Sequence, residues 1–236
     1  MPVSTPARPG TASRRRIRFA RPPQAPDTGL APTARLMLDV AERLFAERGL
    51  DRVSLREVVA ASGQRNLSAA QYHFGSREAL VGAVVARRVW FINERRHQHF
   101  DALQASAQAD DPRAVIETSI GTLAEAVRDQ PWGADYIRIA AQAVFNPEPD
   151  VVRLVGEDNW SSLARRTQWL RRLLPDLPAP VFQDRIRLVN DDITYTLARW
   201  VKVHGPVTPG NRRRYEAMVR NAIDFLAAGM TAPPRA

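Results

Sequence analysis

The chain has 236 residues, enough for one or two domains and for a core that needs no metal or disulfide to hold it together. It contains no cysteine, which excludes disulfides, thiolate metal sites, iron–sulfur clusters and cysteine nucleophiles. The net charge of +9 is unevenly placed: residues 1–30 carry six arginines against one acid, residues 31–100 eleven against seven, and the remainder seventeen bases against seventeen acids. A front end holding all the excess positive charge is what contact with a polyanion needs. The longest apolar stretches, such as Ala79 to Ala86, are far short of the roughly 20 residues that span a bilayer, so no membrane partner is expected. No apolar segment follows the first arginines, so the expectation is a cytoplasmic protein without a secretory signal. In that compartment Asn66-Leu67-Ser68 and Asn159-Trp160-Ser161 are chance matches to the glycosylation pattern.

Residues 1–32 hold seven prolines and no apolar period, so a disordered arm is expected there. It reads either as a flexible arm touching nucleic acid or as a solvated tail. From Thr33 the period is helical. Met37, Ala41, Leu44 and Phe45 share one face of a helix that Gly49 ends. Ser54-Leu55-Arg56-Glu57 is a capping box opening a short helix with Leu55, Val58 and Val59 inward, closed by Gly63. Asn66 can cap a third helix through His73, and Ser76 a long one reaching Gln104. Behind Pro112, helices are expected at about 112–129, 132–145, 150–174, 180–204 and 211–229, separated by prolines and Gly205. No alternating run reads as a strand, so the expected fold is all-α, without internal repeats.

Catalytic motifs are missing: there is no G-x-S-x-G, H-E-x-x-H, Walker loop or G-x-G-x-x-G, and no cofactor is implied. His97 and His99 are two apart, about 200° around a helix, which does not suit one metal ion. Three short helices with a tight turn at Gly63 and a positive balance fit a helix-turn-helix module, though a helical hairpin without a ligand has the same spacing. The third helix offers Asn66, Ser68, Gln71 and Tyr72, groups able to reach base edges or phosphates. The helix N-termini at Ser54 and Ser76 present free N–H groups to phosphates.

The run Ala41-Glu42-Arg43-Leu44-Phe45-Ala46-Glu47-Arg48-Gly49, then Ser54-Leu55-Arg56-Glu57-Val58, then Gly63, then Tyr72-His73-Phe74-Gly75-Ser76-Arg77-Glu78-Ala79-Leu80 closely resembles the TetR family of bacterial transcriptional regulators. The resemblance covers about residues 33–82. It implies a three-helix DNA-binding domain followed by a divergent all-α domain that dimerises and often binds a small effector. One departure stands out: Gly63 to Phe74 is eleven steps, where the family pattern has ten. Aligned back from Phe74, Gln71 takes the place of the usual tyrosine, Tyr72 of a histidine and Ala70 of a core leucine. The extra residue falls among Gln64, Arg65 and Asn66, so Leu67 faces either DNA or the core. By resemblance, Ser54 and Arg56 touch phosphate, while Tyr72, His73 and Arg77 clamp the DNA backbone. Arg65, Asn66, Leu67, Ser68, Ala69 and Gln71 are the candidates for base reading.

The C-terminal part carries two apolar stripes, Ile186, Val189, Ile193, Leu197 and Trp200, and Met218, Ala222, Phe225 and Leu226. In the family such helices pair with their copies as a four-helix homodimer interface; the alternative is that each stripe faces its own core. Phe91, Trp132, Tyr136, Phe145, Trp160 and Trp169 either line an apolar effector pocket or are plain core. The expected organisation is an arm at 1–32, a helix-turn-helix domain at 33–80 and an effector-binding and dimerisation domain at 81–230. The expected function is a DNA-binding regulator, a repressor, of a pseudo-palindromic double-stranded operator, responsive to an unidentified small molecule. The alternative is a similar helical scaffold that binds a lipid or other small molecule without specific DNA recognition.

Overall fold

A computed structural model describes residues 25–64, 67–146 and 149–234. Ten α-helices and one 3₁₀ turn, with no strand, make up the regular structure among the described residues, so the all-α expectation holds. Most of the arginine-rich arm, through residue 24, lies outside them.

Helix α1 (Pro32–Arg48) starts on a proline, whose missing N–H is not needed in a first turn, and buries Met37, Ala41, Leu44 and Phe45 along one face. Helix α2 (Leu55–Ala61) is opened by the complete capping box: the Ser54 hydroxyl accepts from the Glu57 backbone N–H while the Glu57 carboxylate accepts from that of Ser54. Helices α3 (Leu67–Phe74) and α4 (Arg77–Ala105) follow, the latter capped by the Ser76 hydroxyl, which accepts from Ala79 N–H. With 29 residues, α4 is about 43 Å long and serves two cores. Val81, Val84, Val85 and Val89 share one core with residues of α1 and α2, whereas Phe100 and Leu103 belong to a second core further on. Each such buried side chain contributes roughly 1.5–3 kcal/mol.

That second core is built by α5 (Pro112–Asp129), α8 (Ser161–Leu173), α9 (Ala179–His204) and α10 (Arg212–Thr231), with α6 (Gly133–Phe145) lying between α9 and α1. The single helix expected over 150–174 is broken. Helix α7 (Val151–Val155) ends at Gly156, whose φ of 87° lies in the left-handed region that a side chain resists, and a 3₁₀ turn over Glu157–Trp160 leads into α8. Asn159 donates its side-chain amide to the Val155 carbonyl, satisfying an acceptor that the break would orphan.

The first apolar stripe of α9 is used up inside the chain. Ile186, Val189, Ile193, Leu197 and Trp200 are all buried in the second core, and Leu226 of α10 joins them. A side chain 4 % exposed, as Ile193 is, leaves little surface for a second copy, so these six residues are placed as in the alternative in which the stripe faces its own core. Met218 and Ala222 are only partly buried and Phe225 is 73 % exposed, so the α10 stripe does open outward. The exposed side of α9 instead carries Leu188, Tyr195 and Val203.

Candidate functional site

Helix α3 is held at one end of the molecule by α1, α2 and α4. Its residues Ser68, Gln71 and Tyr72 follow the i, i+3, i+4 spacing of one helical face and all three are exposed, Tyr72 to 86 %. His73 is half-buried, its ring between those of Tyr72 and Phe74 at 5.3 Å and 6.2 Å. Leu67 and Ala69 lie in the helix backbone, and Arg65 and Asn66 fall outside the described residues. Arg56 projects from α2 into solvent.

Two expected phosphate contacts are already engaged. Ser54 donates from both its backbone N–H and its hydroxyl to Glu57 Oε2, each at 2.8 Å, and these bonds hold the Glu57 carboxyl below the ordinary carboxylate range. The Ser54 and Glu57 N–H groups at the N-terminus of α2 are therefore taken up within the cap, with the Glu57 carboxylate beside them. Arg77 donates from Nε to the Val53 carbonyl at 2.9 Å, tying the start of α4 to the loop before α2. Both residues fasten the module internally in this state.

Two linkages join this end to the rest of the chain. Glu42 of α1, 4 % exposed, accepts from Arg87 at 2.5 Å and from Arg88 at 2.6 Å, and Asp39 takes the other side of Arg87 at 2.7 Å. The Arg88 guanidinium also lies 4.7 Å over the Trp132 ring. Gln142 of α6 makes the second linkage. Its Oε1 accepts from Leu50 N–H at 2.8 Å and its Nε2 donates to the Phe45 carbonyl at 3.3 Å, so one side chain grips both sides of the turn that ends α1.

A cavity of about 590 Å³ opens between α4, α5, α6, α7, α8 and α9, within the range of small-molecule sites. Of the six aromatic residues expected to line it, Tyr136 and Trp160 do. The other four are placed elsewhere. Phe91 and Trp132 meet edge to face at 5.5 Å beside Arg88, and Trp169 packs on Phe100 with its indole N–H donating to the Ala109 carbonyl. Phe145 is 63 % exposed and meets Tyr195 edge-on. Trp160, Val152 and Val144 lie toward the open side, and Val85, Val89, Ile92 and Ile139 form apolar wall.

Two arginines missed in the sequence reading complete that wall. Arg96 donates to the Ser119 carbonyl at 3.3 Å and to the Ser162 hydroxyl at 3.0 Å; Arg166 donates from Nη1 to Asn190 Oδ1 at 2.9 Å. Burial pushes Arg96 down to about 10 and Arg166 down to about 9, the neighbouring Arg96 adding repulsion to the latter. The same burial pushes the Tyr136 hydroxyl up to about 12. A signal was present: Arg96 continues the stripe Val85, Val89, Ile92 toward Phe100 and Leu103, a cation where the helical period demands an apolar group. On the facing helix Ser161 and Ser162 bond to Asn93 and His97, a dense polar seam between α4 and α8. His97 thus faces α8 while His99 faces Thr122 of α5.

Residues 37–84 match the family model for bacterial regulatory proteins of the tetR family, and residues 117–229 the model for a tetracyclin repressor-like C-terminal domain. The chain is 26 % identical over 224 residues to the HTH-type transcriptional repressor KstR2 of Rhodococcus jostii, covering 90 % of this chain and 98 % of that protein. An uncharacterized HTH-type transcriptional regulator of Mycobacterium tuberculosis is 28 % identical over 158 residues, 60 % of this chain and 72 % of the relative. Among solved structures, the ketosteroid transcriptional regulator KstR2 of Mycobacterium tuberculosis superimposes with a TM-score of 0.58 at 18 % identity, covering 86 % of this chain and 97 % of that one. The transcriptional regulator FadR of Bacillus subtilis, in complex with stearoyl-CoA, gives 0.57 at 14 %, covering 83 % and 98 %. At these identities the superpositions show a shared fold.

Proposed function

The chain belongs to the TetR family of transcriptional regulators, and from that premise we propose that it represses transcription as a homodimer whose two α3 helices read the half-sites of a pseudo-palindromic operator. The observation that carries this is the exposed α3 face of Ser68, Gln71 and Tyr72 at the end of the molecule. An amide such as Gln71 can contact adenine bidentately in the major groove, while Arg56 and Tyr72 contact phosphates and fix the register. A cytoplasmic location follows from this role; among the described residues no helix is long and apolar enough to cross a membrane.

The cavity supports regulation by a small molecule. Its walls include α6 and α4, the two helices that Gln142 and Glu42 fasten to α1. Occupancy that shifts α6 or α4 therefore shifts the α3 helices, and with them the half-site spacing the dimer can match. The outward faces of α9 and α10, with Leu188, Tyr195, Val203 and Phe225, supply the dimer interface in this reading.

Selection of bound sequences from a random DNA pool tests the function. A defined preferred site is expected, and Gln71→Ala loses about 1–3 kcal/mol on that site with less loss on random DNA. Equal loss on both would reduce Gln71 to a phosphate contact, and no sequence preference in the natural protein would favour the scaffold reading. Phe225→Asp, at an exposed position, is expected to leave the fold intact and sediment as monomer; a variant that remains dimeric places the interface elsewhere.

A further inference from the structure

The cavity wall holds more positive charge than its protein partners answer. Arg96 and Arg166 are 6 % and 2 % exposed, and the groups they donate to are neutral: a carbonyl, a hydroxyl and an amide oxygen. Nε and Nη2 of Arg166, which form one edge of the guanidinium, are buried without any partner. The single acid among the described lining residues is Asp150, and its carboxylate caps α7 by accepting from Arg153 N–H. Buried arginine is ordinarily paired, because an uncompensated charge in an apolar setting is costly.

We infer that the effector is an amphipathic carboxylate: an apolar body filling the space beside Val85, Val89, Ile92 and Ile139, with its carboxylate held by Arg166 and Arg96. This rests on the reading of the cavity as an effector site and specifies the chemical class it takes. A carboxylate pairs two oxygens with two parallel N–H groups along one guanidinium edge, and Arg166 has one such edge unpartnered. Arg96 lies close enough to repel it, so one anion between them relieves two unfavourable terms together. The remaining wall is mostly apolar, which matches a long or bulky hydrocarbon body. A phosphate ester would bring further charged oxygens to a wall with few donors left.

The test uses the full-length protein and four probes: dodecanoate, hexadecanoate, the methyl ester of each, with dodecyl phosphate as an additional arm. Binding is read by calorimetry, and release of the selected operator is read separately by fluorescence anisotropy. The acids are expected to bind about tenfold or more tightly than their esters, the worth of a charged hydrogen-bonded pair. Arg166→Met is expected to remove that preference while leaving ester binding unchanged, and Arg166→Lys to restore part of it. Thermal unfolding verifies that each variant is folded; should Arg166→Met fail to fold, Arg96→Met is read in its place. Equal binding of acid and ester, no binding of either acid, or tighter binding of dodecyl phosphate would each overturn the carboxylate assignment. An ester that releases operator as well as its acid overturns this inference but leaves the effector reading standing. An acid that binds through Arg166 without releasing DNA supports the site and defeats the effector reading.

Discussion

Helix α4 carries arginines of two kinds. Toward its start, Arg87 and Arg88 converge on Glu42, with Asp39 completing the group. About two and a half turns later, Arg96 meets only a carbonyl and a hydroxyl, and across from it Arg166 keeps one edge unpartnered. The first pair of cations is neutralised by the chain itself and serves to hold α1 against α4. The second pair is left as an uncompensated field inside a cavity, which weakens the fold and so points to something outside the chain that completes it. Burial alone does not separate the two cases, since all four are largely removed from water. The sign of their neighbours does.

That contrast can be broken experimentally. The largest effect is expected at Glu42. Glu42→Gln leaves the buried Arg87 and the half-buried Arg88 sharing one exposed aspartate, and should cost about 3 kcal/mol in chemical denaturation. A loss under about 1 kcal/mol would make the cluster equivalent to a surface ion pair. Arg166→Met should act in the opposite direction, raising ligand-free stability by about 1 kcal/mol or more as an unpaired charge leaves the interior. No gain would mean that the charge is compensated within the chain. This advantage has a pH signature. The folded value of Arg166 is lowered to about 9 from 12.5, so the penalty is complete below pH 9 and is relieved as the pH rises past it. The gap between variant and natural protein should therefore narrow above pH 9, which thermal unfolding in a pH series would read.

The smallest effect is expected at the Ser54 cap. Glu57 has a folded value below its ordinary 4.5, so its contribution is present above that pH and fades as the pH falls through the lower value. Ser54→Ala should lower stability modestly at neutral pH and flatten that acid-side decline. An unchanged acid limb would show the bonds from Ser54 to be of no consequence in solution.

What could be read from the sequence follows from how local each cause is. The helices of the front end were legible because caps and turns are written within four residues: Ser54 to Glu57, Gly49, Gly63 and Ser76 all act where they stand. Gly156 is of the same kind, but it is set inside an otherwise helical run that masks its effect. The orientation of the α9 stripe was not legible, because Ile186 to Trp200 has the period of an amphipathic helix whether its partner is its own chain or a copy. Aromatic residues misled in a similar way: Trp169 and Phe91 fill core or pair with arginines, and only Tyr136 and Trp160 reach the cavity. The arginines that do reach it, 70 residues apart, are brought together by the packing of α8 on α4, which no local pattern encodes.

The two-point grip of Gln142 has a mechanical consequence. A contact made through one hydrogen bond behaves as a swivel, since the partners can rotate about it while the bond survives. Gln142 instead holds Phe45 on one side of the turn and Leu50 on the other, with the rigid plane of its amide between. Such a joint has a single axis. Rotation of α6 about any other axis cannot be taken up there by slack and must be delivered to α1 as torque, or else break one of the two bonds. The end of α1 is therefore geared to α6 rather than resting on it, and the direction of the turn as well as its size passes across the joint.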